Sequence, residues 1–324
     1  MSRSSEALEA AKLFLAQKAA KEKESQLTQE TSTVNSEASS APAKTDAILT
    51  SDAPPEIICL LGKPGSGKSR TALTVLDIPG VDRAIALDVD KKMLGMECAR
   101  KYVEEGRLKI INIRSPLIAG SLERRAGRSQ EIKSSRGGSG FTTIAPPETE
   151  PKGYLEIMRV MDQAEEVIAS YNAQAWITDS LTRCYEHMHR LISYMTKKGT
   201  LEESAWNIAL MNGEEFVHAH MALPVRYVIL TAHTRAVLDE KTGTMVGVEP
   251  EVQGSMRSKL LGYFGEAYYL DPTIAGVYRM CTRLTSFTPA RTAKSLNKYE
   301  PTNLRIVYDS QFREEWYRTH KPLD

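Results

Sequence analysis

The sequence is poor in several features that mark whole protein classes. It has only four cysteines, Cys59, Cys98, Cys184 and Cys281, far apart and without a CxxC pair, which argues against a zinc module or disulfide scaffold and suits a reducing cytoplasm. It has almost no net charge: 42 Lys+Arg against 41 Asp+Glu leave +1, so contact with a polyanion has to come from a local patch. No apolar run approaches the about 18–20 residues of a spanning helix. The first residues carry Glu6, Glu9 and Lys12 where a signal peptide has its apolar stretch, so a soluble cytoplasmic protein without membrane contact is expected. What is present is ordinary globular stock, 41% apolar and 26% charged over 324 residues, enough for one large domain or a medium domain with appendages.

The expected domains are three. Residues 1–25 hold an amphipathic helix in which Leu8, Lys12 and Leu15 recur at helical spacing beside Phe14. It reads either as a solvated tail or as a docking helix for a partner protein or neighbouring subunit. Residues 26–55 are rich in Ser, Thr, Ala, Glu and Pro and too poor in large apolar groups to offset ordering entropy, which predicts a disordered linker. From Glu56 to Asp324 short β-branched runs alternate with helical patterns, the signature of a mostly parallel α/β sheet with helices on both faces.

Strands are expected at Ile57–Leu61, Arg83–Leu87, Leu108–Ile113, Ala175–Thr178 and Arg226–Thr231. Ala267–Leu270 and Val277–Leu284 should form a C-terminal antiparallel extension. Helices are expected at Lys68–Leu76, Lys92–Glu104, Tyr154–Ser170, Thr182–Met195 and Leu201–Ala222. Two stretches resist this scheme. Residues 120–151 form a basic, Gly/Ser-rich insertion with Arg124, Arg125, Arg128, Lys133 and Arg136, and residues 235–254 a long loop with Gly243, Gly247 and Pro250.

Gly62, Lys63, Pro64, Gly65, Ser66, Gly67, Lys68 and Ser69 satisfy GxxxxGK[ST] between an apolar strand and a helix, with Arg70 next in the same segment. The glycines free backbone N–H groups to wrap phosphates, the helix N-terminus adds partial positive charge, Lys68 reaches the outer phosphates, and Ser69 ligates Mg²⁺. The metal also needs an acid at the end of a neighbouring strand, and Asp179 after Ala175–Thr178 supplies it. Hydrolysis needs a group on the attacking water. Asp88 and Asp90 are the candidates, and because alternation points both the same way either could serve; otherwise Asp88 caps the next helix and Asp90 is solvated. His233, closing Val228–Ala232, is placed to sense the terminal phosphate.

In this order the motifs resemble the RecA-type ATPase core, and among its members the compact RecA-like ATPases of bacteriophages, including the Sak-type single-strand-annealing recombination proteins. The likeness runs from about Glu56 to Asn297 through the phosphate loop, Asp88-Val89-Asp90, Ile113-Arg114-Ser115-Pro116, Thr178-Asp179-Ser180 and Leu230 to Arg235. It implies ATP and Mg²⁺ as cofactors, single-stranded DNA as partner, and a ring or filament with nucleotide between subunits. Asp90 falls where the family keeps a catalytic carboxylate, usually Glu, and His233 where it keeps a glutamine that couples nucleotide to a DNA loop. Residues 235–254 then resemble that loop, and Lys197 and Lys198 fall near the other one. Cys98 takes the place of a base-stacking tyrosine. Arg291 and Lys294 fall where relatives reach into the adjacent subunit's nucleotide.

Arg235, Lys241, Arg257 and Lys259 make a local basic set suited to backbone contacts with single-stranded DNA, although the loop lacks aromatics for base stacking. Other readings are a nucleotide-switched assembly or DNA-packaging module and, less consistent with the long segment after His233, a phosphate-loop kinase with the 120–151 insertion as its lid. His187 with His189, and His218 with His220, lie two residues apart on predicted helices and so point to different faces, which argues against metal binding.

Overall fold

A computed structural model describes residues 54–113, 130–132, 141–143, 150–197, 203–252, 256–274, 277–285 and 288–320. The expected N-terminal helix, the linker up to residue 53, Lys198 and most of the basic insertion lie outside the described residues. Among the described residues no helix is long and apolar enough to cross a membrane.

The strands are β1 (Glu56–Gly62), β2 (Ala84–Asp88), β3 (Leu108–Asn112), β4 (Gln130–Ile132), β5 (Phe141–Thr143), β6 (Ala175–Asp179), β7 (Tyr227–Leu238), β8 (Met245–Pro250), β9 (Glu266–Ile274), β10 (Val277–Cys281) and β11 (Tyr299–Pro301). The α-helices are α1 (Lys68–Leu73), α2 (Glu97–Glu104), α3 (Gly153–Asp162), α4 (Ala164–Tyr171), α5 (Leu181–Thr196), α6 (Glu203–Met221), α7 (Met256–Lys259), α8 (Leu304–Tyr308) and α9 (Ser310–Thr319). The main sheet runs β11-β10-β9-β1-β7-β6-β2-β3, with β8 paired to β7 off this path, while β4 and β5 pair separately. From β9 through β3 neighbours are parallel, and β10 and β11 add antiparallel strands at the edge. The mostly parallel α/β architecture with a C-terminal antiparallel extension is therefore the one expected.

Both faces of the sheet are buried, which explains why its strands read as continuous apolar runs. Side chains alternate between two cores. Cys59, Leu61, Leu87, Trp176 and Leu230 face α3, α5 and α6, whose Ile157, Met188 and Val217 close one layer. Ile58, Leu60, Ala86, Ile177 and Ile229 face Leu73 of α1, Ala99 of α2 and Leu304 of α8 on the other. Side-chain caps start three of the helices: Ser180 on α5, Asn303 on α8 and Asp309 on α9.

Local differences from expectation have identifiable causes. The helix expected from Lys92 begins as a 3-10 turn at Met93–Gly95 and becomes α2 only at Glu97; glycine at position 95 disfavours an early helical start. The single helix expected at Tyr154–Ser170 is two, broken at Gln163. The largest difference is at residues 235–254: β7 continues past the sheet to Leu238 and turns through Gly243, at φ 66, into β8, so most of the expected loop is an antiparallel hairpin.

Trp176 is fully buried and serves packing. Its indole N–H donates to Thr178 Oγ1 at 3.0 Å, Thr178 lies 2.8 Å from His220 Nε2, and His220 Nδ1 lies 2.8 Å from the Phe216 carbonyl oxygen. This chain is satisfied by a neutral His220 that donates from Nδ1 and accepts at Nε2. Burial lowers the His220 pKa from 6.5 to about 4. The folded form thus binds fewer protons than the unfolded form, and stability present above pH 6.5 is lost as pH falls towards 4, on the order of 1.4 kcal/mol per unit. Thermal melts from pH 7 to 4.5 should show this acid slope, and His220→Asn should lessen it by about one group's share, since His187 and His189, also lowered to about 4 by burial, contribute in the same direction.

Candidate functional site

Strand register brings the predicted residues to one carboxyl edge of the sheet. Gly62 of β1 is level with His233 of β7, Asp88 of β2 with Asp179 of β6, and Leu230 with Thr178, which sets Thr231 one step along beside Asp179. Ligands in open α/β sheets characteristically bind at this edge.

The phosphate loop leaves β1 at Gly62, where a Cβ would stand 2.4 Å from Ser66 Oγ and 2.9 Å from the Leu270 carbonyl oxygen, so only glycine fits. Gly67, at φ 88, is the N-cap of α1 and turns the chain into it. Lys63 and Pro64 are exposed on the outer curve with Gly65, and Arg70 is exposed on α1. Lys68 is buried, its ammonium donating to the carbonyl oxygens of Gly62 at 2.8 Å and Lys63 at 2.9 Å. Burial, then the nearby Lys92 charge, lower its pKa from 10.5 to about 8 against the pull of Asp179, Asp90 and Glu251.

Ser69 Oγ donates to Asp179 Oδ2 at 2.5 Å, and Thr231 Oγ1 donates to Asp179 Oδ1. Lys68, Ser69 and Asp179 therefore share one site. A neutral hydroxyl and a carboxylate in contact are hard oxygen donors of the kind Mg²⁺ takes, with its remaining positions left to waters and phosphate. Among the described residues no group of three or more His, Cys, Asp and Glu is placed to hold a metal by itself.

The two acids after β2 separate into different roles. Asp88 is fully buried and its Oδ2 accepts the Met93 N–H at 2.7 Å, so it caps the following turn; burial pushes its carboxyl up despite that bond. Asp90 sits in the site, its backbone N–H donating to the Asp179 carbonyl oxygen at 3.1 Å and its carboxylate 3.2 Å from Ser180 Oγ. Lys92 Nζ is 2.6 Å, Arg183 Nε 3.6 Å and His233 Nε2 3.7 Å from the same carboxylate. Burial alone would raise the Asp90 pKa, but the His233 ring and the Lys92 ammonium hold it well below the usual carboxylate range.

His233 is buried between Asp90 and Glu251, whose Oε2 lies 4.0 Å from Nδ1; its backbone N–H donates to Thr182 Oγ1 at 2.9 Å, and Nε2 has no hydrogen-bond partner among the described residues. Sequence reasoning missed Lys92, Arg183, Thr231 and Glu251. Lys92 and Thr231 lie within or beside the motifs already singled out, whereas Arg183 and Glu251 join the site through α5 and the end of β8.

The other basic candidates are engaged with other partners. Arg235 and Arg257 both pair with Glu249, at 2.6 and 3.1 Å, and Lys259 pairs with Glu214 at 2.9 Å. Lys241 occupies the hairpin turn capped by Asp239, and Lys197 ends α5 with its ammonium 3.6 Å from the Tyr194 ring centroid. Lys294 pairs with Glu56 at 3.3 Å, at the opposite end of β1 from the phosphate loop and so about 20 Å from it. Arg291 pairs through its backbone with Ala267. Cys98 is half-buried in α2 against the second core.

No family model matches the sequence, and no curated protein matches it. Among solved structures, the chain is similar to a KaiC-like protein of the archaeon Pyrococcus horikoshii, with a TM-score of 0.40 and 12% identity over 76% of this chain and 85% of that one. It is also similar to an ATPase of the type III secretion system of pathogenic bacteria, with a TM-score of 0.38 and 10% identity over 67% of this chain, which spans 52% of that one.

Proposed function

We propose that this chain is a Mg²⁺-dependent ATPase of the RecA-like class. The observation that carries the proposal is the 2.5 Å contact between Ser69 and Asp179 beside the buried Lys68, which puts a cation, a hydroxyl and a carboxylate at one strand edge behind a glycine-rich loop. Magnesium bound by Ser69 and Asp179 would neutralise charge on the outer phosphates. Loop N–H groups and Lys68 hold those phosphates, Asp90 orients the attacking water, and His233 faces the terminal phosphate. Phosphate release that requires both ATP and Mg²⁺ tests this; its absence under all conditions would sink it.

The finer proposal is a phage-type recombination or annealing protein that self-associates on single-stranded DNA. Lys197, Lys198, Arg235, Lys241 and Arg257 are its candidate DNA contacts, and Arg291 with Lys294 the contacts to a neighbouring subunit's nucleotide. Lys294 lies far from its own phosphate loop, which suits a contact made in another copy. The pairing of both Arg235 and Arg257 with Glu249 favours a second reading, a nucleotide-switched assembly or packaging module, because it leaves less free positive charge on the hairpin. Single-stranded DNA separates the two. The recombination reading expects DNA to raise phosphate release several-fold. It also expects Arg235→Ala with Lys241→Ala to reduce the salt slope of binding by about 1.4, the share of two phosphate contacts. Turnover indifferent to DNA favours the assembly reading.

A further inference from the structure

Lys92 is a cation at the candidate site with no part in the reaction scheme so far. Its ammonium lies 2.6 Å from Asp90 Oδ2, and its side chain is 47% exposed where that of Asp90 is 6% exposed. It follows Lys91, which is left-handed at φ 57, so the chain turns between the two paired residues. It is close enough to Lys68 for the two like charges to oppose each other. Asp90 is not Lys92's to keep: Ser180 Oγ at 3.2 Å, Arg183 Nε at 3.6 Å and His233 Nε2 at 3.7 Å face the same carboxylate. The carboxylate can therefore give up one cation without standing alone in a buried place. Lys92, on a long half-exposed stem, has Asp90 as the hydrogen-bond partner of its ammonium.

An added phosphate changes this balance. It is a second anion competing for a mobile ammonium, with more charge than a carboxylate and more acceptor oxygens. We propose that Lys92 is a charge switch that distinguishes a bound nucleoside triphosphate from a diphosphate. Without a terminal phosphate it neutralises Asp90; with one it moves to that phosphate and leaves Asp90 free to orient water. The inference rests on reading Gly62–Ser69 as a triphosphate site and deepens it. It makes Lys92 the residue that ties the state of the water-orienting carboxylate to the ligand present.

The test is a binding measurement on the full chain, with Mg²⁺, using ADP and the non-hydrolysable triphosphate AMP-PNP. Lys92→Met should weaken AMP-PNP about tenfold and ADP less than about twofold, with Lys92→Arg restoring most of the difference. The Lys92→Met loss for AMP-PNP should grow in an Asp90→Asn background, where the competing carboxylate charge is gone. Because Lys92 is half-exposed and Asp90 keeps Ser180, Arg183 and His233, the melting temperature should fall by only a few degrees, by the same amount whichever nucleotide is tested, which separates loss of binding from loss of fold. Equal loss for both nucleotides, no loss, or a smaller loss in the Asp90→Asn background overturns the switch while leaving the triphosphate site in place. If the unaltered chain binds neither nucleotide, the phosphate-site reading fails and the switch fails with it.

Discussion

Lys68→Ala is expected to remove nucleotide binding on a protein that still folds. The ammonium is buried and makes two charge-assisted hydrogen bonds to loop carbonyls, at 2.8 and 2.9 Å, and those donors are the ones a phosphate would take over. Losing two such bonds to a charged ligand is worth roughly 3–4 kcal/mol, about 100- to 1,000-fold in affinity. Stability should not fall with it. The Lys68 pKa is lowered on folding, so the fold disfavours the charged form, and removing that ammonium relieves a desolvation cost. The same shift gives the unaltered protein a pH signature. A phosphate binds the protonated lysine, so affinity is full below about pH 8 and weakens as pH rises through it, by about tenfold per unit above that point. Titration with a fluorescent nucleotide at pH 7, 8 and 9 reads both effects. Nucleotide binding by Lys68→Ala within threefold of the unaltered chain would sink the role given to the loop.

How much of this arrangement was legible beforehand follows from how local each signal is. The phosphate loop is a contiguous string whose glycines, lysine and serine each have a mechanical reason, and Asp179 closes an apolar strand, so both could be found by reading along the chain. The parallel sheet was legible because strands buried on two faces leave unbroken runs such as Ile57–Leu61 and Val228–Ala232. The hairpin at β7 and β8 was not. Its arms, Arg235–Leu238 and Met245–Val248, are short, half-exposed and interrupted by Gly247, and their pairing is set across the Gly243 turn and not by any alternation within one arm. Thr231 was passed over because a threonine in a strand means nothing by itself; only the register that sets Leu230 beside Thr178 carries it to Asp179. Lys92 stands two residues from Asp90 and was within reach of a local reading, whereas Arg183 and Glu251 come from two other segments and meet only around Asp90 and His233. Side chains that act on a group from outside its own strand leave no spacing to detect.

The choice between Asp88 and Asp90 shows what the fold adds, because alternation along the strand points both acids the same way. Burial and the Met93 N–H commit Asp88 to holding a turn, whereas Asp90 faces Ser180, Arg183, His233 and Lys92 beside Asp179. Asp90→Asn is therefore expected to slow ATP hydrolysis by about 10²–10⁴-fold, the range for losing a group that acts on the attacking water. ATP binding should be kept or tightened, since the substitution removes a negative charge from a site built for an anion and releases the Lys92 ammonium. Asp90 stands among cations that hold it ionised, so it is suited to orient a water through its charge more than to keep that water's proton. Asp88→Asn should leave the chemical step intact: the amide oxygen still accepts the Met93 N–H and the buried charge is gone, so the melting temperature should hold. Single-turnover phosphate release beside equilibrium nucleotide binding, for both variants, separates these outcomes. Loss of binding in Asp90→Asn would make that carboxylate part of the scaffold, and a slow chemical step in a well-folded Asp88→Asn would move the water to the other acid.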